Sequence, residues 1–559
     1  MEKLCEKCGC QYLVEDRDRV FYDSVSPVIA GKKFPIPSPT LCPQCRLQRR
    51  YSWRNERTLY VRKCDGTGEN ILSVFSPEKP FKVYQSEYWY SDAWDAKHFG
   101  RDFDFNRPFF EQFAELMREV PQLALSVTNN QNCDYVNQTG YCKDCYLIFE
   151  ADFNEGCLYG NYIQRSRDCV DCTKLFSSEL CYECFNCENS YNLRYSQDCV
   201  SCSDSWFLKN CVSCQNCFGS VNLRNKQYYF YNQALTKEQY FEALSKVDFS
   251  RKGLVQLKAH FDRYVLGFPV KFMHGTLNQD SSGDYLSNTK DCLDCYELMN
   301  SQDCRFVVNC RNMKNVYDVL VFGSEKGAEF SYESHEIGEG VRNVCFSDQI
   351  WNGGYEIYYS KLCLNDSHDL FGCVGLRRSS HCILNKQYSK EDYEILVPKI
   401  IEHMIQTGEW GQFFPSALSP FAYNETLAQD FYPLERGIAL SKGFQWKEPE
   451  AKIYQPQCIP VPGEIAKTPD SILNEILACE TCGKNYKLVA QELLFYRKMQ
   501  LPVPVECERC RHQKRAGVRN PRQLWPRPCD SCGQAMQSSY AHTRPEKVLC
   551  EACYLNAVC

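Results

Sequence analysis

Apolar and cysteine positions recur at a fixed spacing through the middle of the chain. Cys142, Cys157, Cys172, Cys187, Cys202 and Cys217 stand 15 residues apart, and Cys169, Cys184, Cys199 and Cys214 form a second column. Ile148, Ile163, Leu193, Leu208 and Leu223 keep step with them, interrupted only by Ser178. A β-solenoid demands such registration, because each coil sets equivalent residues above the last, about 4.8 Å away. A second array follows: Cys292, Cys295, Cys304 and Cys310 repeat Cys169, Cys172, Cys181 and Cys187, while Phe371-Gly372, Val374 and Leu376-Arg377 repeat Phe218-Gly219, Val221 and Leu223-Arg224. The column lapses at Glu325 and Gly340. The pattern predicts a mainly β fold of two cysteine-rich parallel β-solenoids with 15-residue coils.

Helical spacing replaces this pattern at three places. Thr236 before Lys237-Glu238-Gln239 and Ser389 before Lys390-Glu391-Asp392 are helix starts. Each helix follows the end of an array, where it would cover the apolar face and open strand edges of the last coil. Phe109, Phe113 and Leu116 mark one face of a helix from Pro108 to Glu119, expected to cap the start of the first solenoid. Aromatic and proline residues from Phe413 to Pro433 read as an ordered loop on the core, and the proline-rich stretch beginning at 446 as a linker. The expected organisation is a zinc ribbon (1–50), a degenerate metal-free ribbon (51–100), the first solenoid (101–265), the second with its helix and aromatic loop (266–445), a linker (446–475) and two zinc ribbons (476–515 and 516–559).

Composition narrows the setting. With 559 residues, 44 % of them hydrophobic, the chain has ample material for packed cores. The N-terminus enters a cysteine motif without a leader-like segment, and no apolar run reaches the roughly 18 residues of a membrane span. A cytoplasmic location is expected. In that compartment 38 cysteines imply metal or buried thiols before disulfides. For the solenoid columns, reduced thiols packing as small apolar groups are favoured over metal, with disulfides third.

The two ends are copies of each other. At a shift of 465 residues, Cys42, Cys45, Arg46, Gln48, Arg50, Arg54, Asn55 and Arg57 fall on Cys507, Cys510, Arg511, Gln513, Arg515, Arg519, Asn520 and Arg522. Further along, Cys64-Asp65 and Gly68 fall on Cys529-Asp530 and Gly533. Three sets of cysteines have the spacing of a closed tetrahedral zinc site: Cys5, Cys8, Cys42, Cys45; Cys479, Cys482, Cys507, Cys510; and Cys529, Cys532, Cys550, Cys553. In the fourth copy Thr67, Gln85 and Tyr88 stand opposite Cys532, Cys550 and Cys553, so about three Zn2+ per chain are expected. Cys479 to Tyr486, with Glu492, Phe495-Tyr496, Pro502, Pro504 and Cys507 to Arg511, resembles the probable zinc-ribbon domain of treble-clef type. The segment Cys529 to Tyr554 is similar to the ribbon that often follows it, and the whole chain resembles uncharacterised cysteine-rich multi-ribbon proteins of small-genome bacteria. That resemblance implies zinc-stabilised modules and no activity.

Charge is concentrated beside the ribbons. Arg46, Arg49, Arg50, Arg54, Arg57, Arg62 and Lys63 face Glu56 alone, and Arg511, Lys514, Arg515, Arg519, Arg522 and Arg527 occupy a stretch free of acids. Arginine pairs phosphate bidentately and Trp53, Tyr51 or Trp525 could stack bases, which points to RNA or a protein assembly as partner. The competing reading is that these arginines bind acids of the protein's own solenoids. Asp280, Asp284, Asp291, Asp294 and Asp303 raise the alternative of a solenoid-based carbohydrate-active enzyme, and the thiol columns that of a metal-buffering protein. No phosphate loop and no metalloprotease or nucleophile motif occurs. The leading expectation is a cytoplasmic zinc-binding scaffold.

Overall fold

Turn spacing governs the centre of the chain. In the computed structural model, which describes residues 1–323, 325–449 and 452–558, Asn132, Tyr135, Gln138, Tyr141, Asp144 and Leu147 have φ between 51° and 56°, and the same conformation recurs at nearly every third residue as far as Tyr231. Each left-handed residue turns the chain, so straight segments are only three residues long. Parallel pairing joins Asn137 to Phe149, Phe149 to Asn161, Asn161 to Thr173, Thr173 to Phe185 and Phe185 to Gln197. Gln131 bridges Lys143 and Asp134 bridges Tyr146 at the same interval. The repeat is therefore a 12-residue turn of four short sides, which corrects the expected 15-residue coil. Because an inward position comes every third residue, columns at any multiple of three look periodic in the sequence. The 15-residue column steps on by one turn and one side, and so winds around the stack.

The first residue of each three points inward: Cys142, Cys145, Ile148, Ala151, Asn154 and Cys157 are all buried. Backbone amides at the other two positions join the ladder, as in Lys143 N–H to Asn154 O and Asp144 N–H to Gln131 O. The inward amide has no carbonyl to reach, and a side chain of the preceding turn accepts it: Asn154 Oδ1 from Ser166, Ser166 Oγ from Ser178, Ser178 Oγ from Ser190, and Ser190 Oγ from Cys202. Buried amides need partners, which favours small acceptors such as Ser, Asn and Cys along these columns.

The second stack is wider and less regular. Its longest strands are Cys295–Arg305, Met313–Phe322 and Ala328–Ile337. Parallel partners lie 12 residues apart at Ser287 and Met299, 15 apart at Met313 and Ala328, and 13 apart at Ala328 and Val341. Helices form at the expected starts, with Thr236 and Gln239 in a reciprocal cap on Lys237–Ser245 and Ser389 accepting from Asp392 N–H ahead of Lys390–Gln406. The helix Phe109–Glu119 differs from expectation in its neighbour. Phe109 packs on Tyr359 and Phe371, with ring centroids 5.4 and 5.5 Å apart, so it covers the second stack and not the start of the first.

The terminal modules do not stand apart. Val14, Phe21, Tyr22 and Trp53 share a core with the second stack, whereas Leu493, Phe495, Tyr496 and Leu501 share one with aromatic residues on the outside of the first. The longer interval between the N-terminal cysteine pairs holds an extra hairpin, Val28–Ile29 with Lys32–Lys33. Within the stretch read as a linker, Ile465 and Ile472 are buried in the same core as Leu493, and Glu450 and Ala451 lie outside the described residues. Among the described residues no helix is long and apolar enough to cross a membrane.

Candidate metal centres

Among the described residues three groups of four thiols converge, and they are the three predicted from spacing: Cys5, Cys8, Cys42, Cys45; Cys479, Cys482, Cys507, Cys510; and Cys529, Cys532, Cys550, Cys553. Within each, every sulfur lies within 4.8 Å of the others. Sulfur separations across the pairs are 3.8 Å for Cys8 and Cys42, 3.7 Å for Cys482 and Cys507, and 3.8 Å for Cys532 and Cys550. A tetrahedral ion with metal–sulfur bonds of about 2.3 Å requires an edge of about 3.8 Å. The groups can hold metal ions on that ground.

Local structure prepares the sulfurs. The hairpins Glu2–Leu4 with Gln11–Leu13, Leu477–Ala478 with Asn485–Tyr486, and Trp525–Pro528 with Ala535–Ser538 each enclose a Cys-x-x-Cys-Gly turn. Gly9, Gly483 and Gly533 have φ of 72°, 71° and 75°, a conformation that favours glycine. Around Cys529 burial opposes the thiolate, but the backbone amides of Cys532, Cys550 and Ser531 donate to the sulfur and hold its pKa at about 6. The second ligand pair opens a helix in all three modules: Cys42 caps Pro43–Tyr51, Cys507 caps Glu508–Ala516, and Cys550 leads into Glu551–Val558, its carbonyl accepting from Tyr554 N–H at 2.9 Å.

The fourth module keeps the hairpin, Tyr60–Lys63 with Asn70–Ser73, and one ligand-like sulfur, to which Gln85 N–H donates at 3.4 Å from Cys64 Sγ. The ring of Tyr88 packs against Gly66 in that turn.

Thiols inside the stacks behave differently. Cys145 Sγ lies 3.2 Å from Lys143 O of the preceding side and 3.6 Å from Asn154 O of the next turn, and Cys172, Cys202 and Cys292 repeat this geometry. Carbonyl oxygens on two sides suit a protonated S–H and repel a thiolate. In the second stack burial pushes Cys363 up to about 12 and Cys382 up to about 11, whereas a hydrogen bond with Cys304 lowers Cys292.

The arginine stretches are spent internally. Arg46 pairs with Asp318 bidentately, Nε to Oδ1 at 3.0 Å and Nη2 to Oδ2 at 2.8 Å, and Arg50 reaches the same carboxylate at 2.9 Å. Arg49 and Arg50 bind Glu333 at 2.6 and 3.1 Å. Arg54 is buried against Glu56, Glu150 and Glu336, and Arg57 pairs with Glu508. The copy repeats the arrangement on the first stack, where Arg515 bonds Asp171 at 2.8 Å and Glu183 at 3.2 Å and Arg511 lies 3.2 Å from Asp171, while Arg522 reaches across to Glu297 of the second. Trp53 is 2 % exposed and stacks on no free surface. Lys514 is exposed, bound to Glu506 at 2.5 Å, and Arg519 lies 4.4 Å over the Phe431 ring. Most of these guanidinium groups are thus buried in ion pairs, because a guanidinium removed from water needs a carboxylate and the stacks supply one.

Of the acids considered for catalysis, Asp280, Asp291 and Asp303 follow one another on successive turns, since Gln279 bridges Lys290 and Lys290 pairs with Gln302, while the other two are taken up by cationic partners. Asp284 is buried, 2.9 Å from His274 Nδ1 and bonded to Ser539; Asp294 lies 3.8 Å from Arg305; Asp280, Asp291 and Asp303 occupy left-handed turn positions. Sequence reasoning passed over a buried chain of His335, Asp348 and Lys361, in which His335 Nδ1 lies 2.5 Å from Asp348 Oδ1. It also passed over the docking acids Asp171, Glu183, Asp318 and Glu333, whose left-handed backbone made them look like turn residues. Neither a protein-family model nor a curated protein matches this sequence.

Proposed function

We propose that the protein is a zinc-stabilised scaffold of a reducing, cytoplasmic compartment: two β-solenoids held together by ribbon-type modules, three of which carry zinc. The observation that carries this reading is the convergence of four sulfurs within 4.8 Å in all three groups, with one separation in each of 3.7–3.8 Å, the edge of a zinc–thiolate tetrahedron. Four thiolates close the coordination sphere, so the ions would act structurally, and each could contribute about 10 kcal/mol of apparent folding free energy. The solenoid reading is supported by the parallel register and the turn at every third residue. The carbonyl-bonded interior thiols favour a packed core over metal buffering, and with Asp284 and Asp294 paired to His274 and Arg305 the column of turn acids does not amount to a carbohydrate-active site. Both arginine helices are already paired, so this proposal gives them the task of assembly and leaves RNA unassigned.

Elemental analysis of protein purified reduced, without added metal, tests the reading. About three zinc ions per chain are expected, falling by one in Cys479→Ser. Six or more would mean that the interior columns chelate, and none would remove the premise.

A further inference from the structure

The first four-cysteine group differs from the other two by a fifth thiol. Cys10 Sγ lies 3.3 Å from Cys8 Sγ, and both residues are exposed, whereas Cys5, Cys42 and Cys45 are buried. The matching positions in the other groups are Lys484 and Gln534. Backbone geometry is common to all three: the amides of Cys5, Cys479 and Cys529 donate to Cys10 O, Lys484 O and Gln534 O at 2.9, 2.9 and 2.8 Å. The three sites therefore present one turn with three side chains, only one of which can react with its neighbouring ligand.

We propose that Cys8 and Cys10 form an oxidation site through which a peroxide releases the first metal ion while the other two stay bound. This rests on the reading that the four-cysteine groups hold zinc. Cys10, outside the ligand set, attacks one peroxide oxygen and becomes the sulfenic acid, with water as the other product. The Cys8 thiolate then attacks the Cys10 sulfur and expels hydroxide; the sulfur–sulfur bond forms as the Cys8–zinc bond breaks. Two thiols have lost two electrons to the peroxide, and the ion is left on Cys5, Cys42 and Cys45. Closing from 3.3 Å to a disulfide of about 2.05 Å needs little motion, and Gly9 between the two cysteines gives the turn its freedom. Release would also loosen the start of the helix that Cys42 caps, and with it the hold of Arg46 and Arg50 on Asp318.

The experiment uses the full reduced chain, its zinc content measured first, then hydrogen peroxide in the presence of a coloured zinc chelator. One equivalent is expected to leave at least roughly tenfold faster than the other two, with the Cys8-Gly9-Cys10 peptide lighter by two hydrogens. Cys10→Ser should bind as much zinc as the parent and lose the fast phase. Lys484→Cys should gain a second fast equivalent, a result that does not depend on how Cys10→Ser folds. Three equivalents leaving at a common rate, or a fast phase that persists in Cys10→Ser, would overturn the inference and leave the zinc reading standing. A chain with fewer than about three zinc ions before oxidation would overturn both.

Discussion

Cysteine and serine exchange places along the inward columns because both can accept an amide proton and donate to a carbonyl. Ser190 Oγ accepts from Cys202 N–H at 3.2 Å and donates to Glu188 O at 2.9 Å. Ser190→Ala leaves that amide buried without a partner and should cost about 1–3 kcal/mol, whereas Ser190→Cys should cost well under half as much. Urea midpoints of the two variants compare them directly; an alanine variant as stable as the parent would refute the role given to the hydroxyl. His335 is the other residue whose environment sets a measurable property. Burial, helped by the charges of Arg54 and Lys361 and opposed by Asp348, holds its pKa below the ordinary 6.5. The unfolded chain then binds the proton more readily than the folded one. Stability from this residue is intact above about pH 6.5 and falls as the pH drops below it, by up to about 1.4 kcal/mol per unit. A His335→Gln variant should show a shallower loss of urea midpoint between pH 6.5 and 5.5, and an unchanged slope would rule His335 out as the source.

At the scale of elements, the same helix is docked twice. Pro43–Tyr51 sets Arg46 and Arg50 on Asp318 and Glu333 of the second stack, and Glu508–Ala516 sets Arg511 and Arg515 on Asp171 and Glu183 of the first. In each case the two acids lie on neighbouring strands or turns, since Val319 pairs with Ser334 and Val170 bridges Tyr182. Asp318→Ala strands two buried guanidinium groups and should destabilise by about 3–5 kcal/mol, and Asp171→Ala should match it. Calorimetry would decide: a small effect at both sites would mean that apolar packing, not the ion pairs, holds the helices. These contacts also mark the limit of what the sequence discloses. Cysteine ligands were legible because each pair is local and a metal needs four of them. The arginines were legible as a pattern, and contact with acids of the solenoids as one of its two readings, but not which acids, because Asp318, Glu333, Asp171 and Glu183 lie hundreds of residues away at left-handed turn positions.

Across the whole molecule the halves are interleaved. The N-terminal arginine helix grips the second stack while Val83–Tyr84 of the neighbouring module pairs with Gln122–Leu123, which leads into the first. The C-terminal arginine helix grips the first stack while Val548–Leu549 pairs with Val270–Lys271, which leads into the second. Each end thus spans both stacks, and the faces of a stack must keep their order for all these contacts to form together. In the first stack Asp171 and Glu183 face the C-terminal helix, while Asp198 meets Tyr285 of the second stack at 3.1 Å and Asn210 meets Tyr554. A tandem copy of residues 178–189, inserted after Asn189, adds one 12-residue turn and returns every later residue to its own face, about 4.8 Å along the stack. A copy of residues 175–189 keeps the inward positions inward but rotates every later face by one side, so Asp198 and Asn210 point away from their partners. The 15-residue insertion should therefore melt at the lower temperature and be cut faster by protease beyond Ser190. If it proved the more stable of the two, the 12-residue turn would be wrong and the 15-residue column would again be the coil.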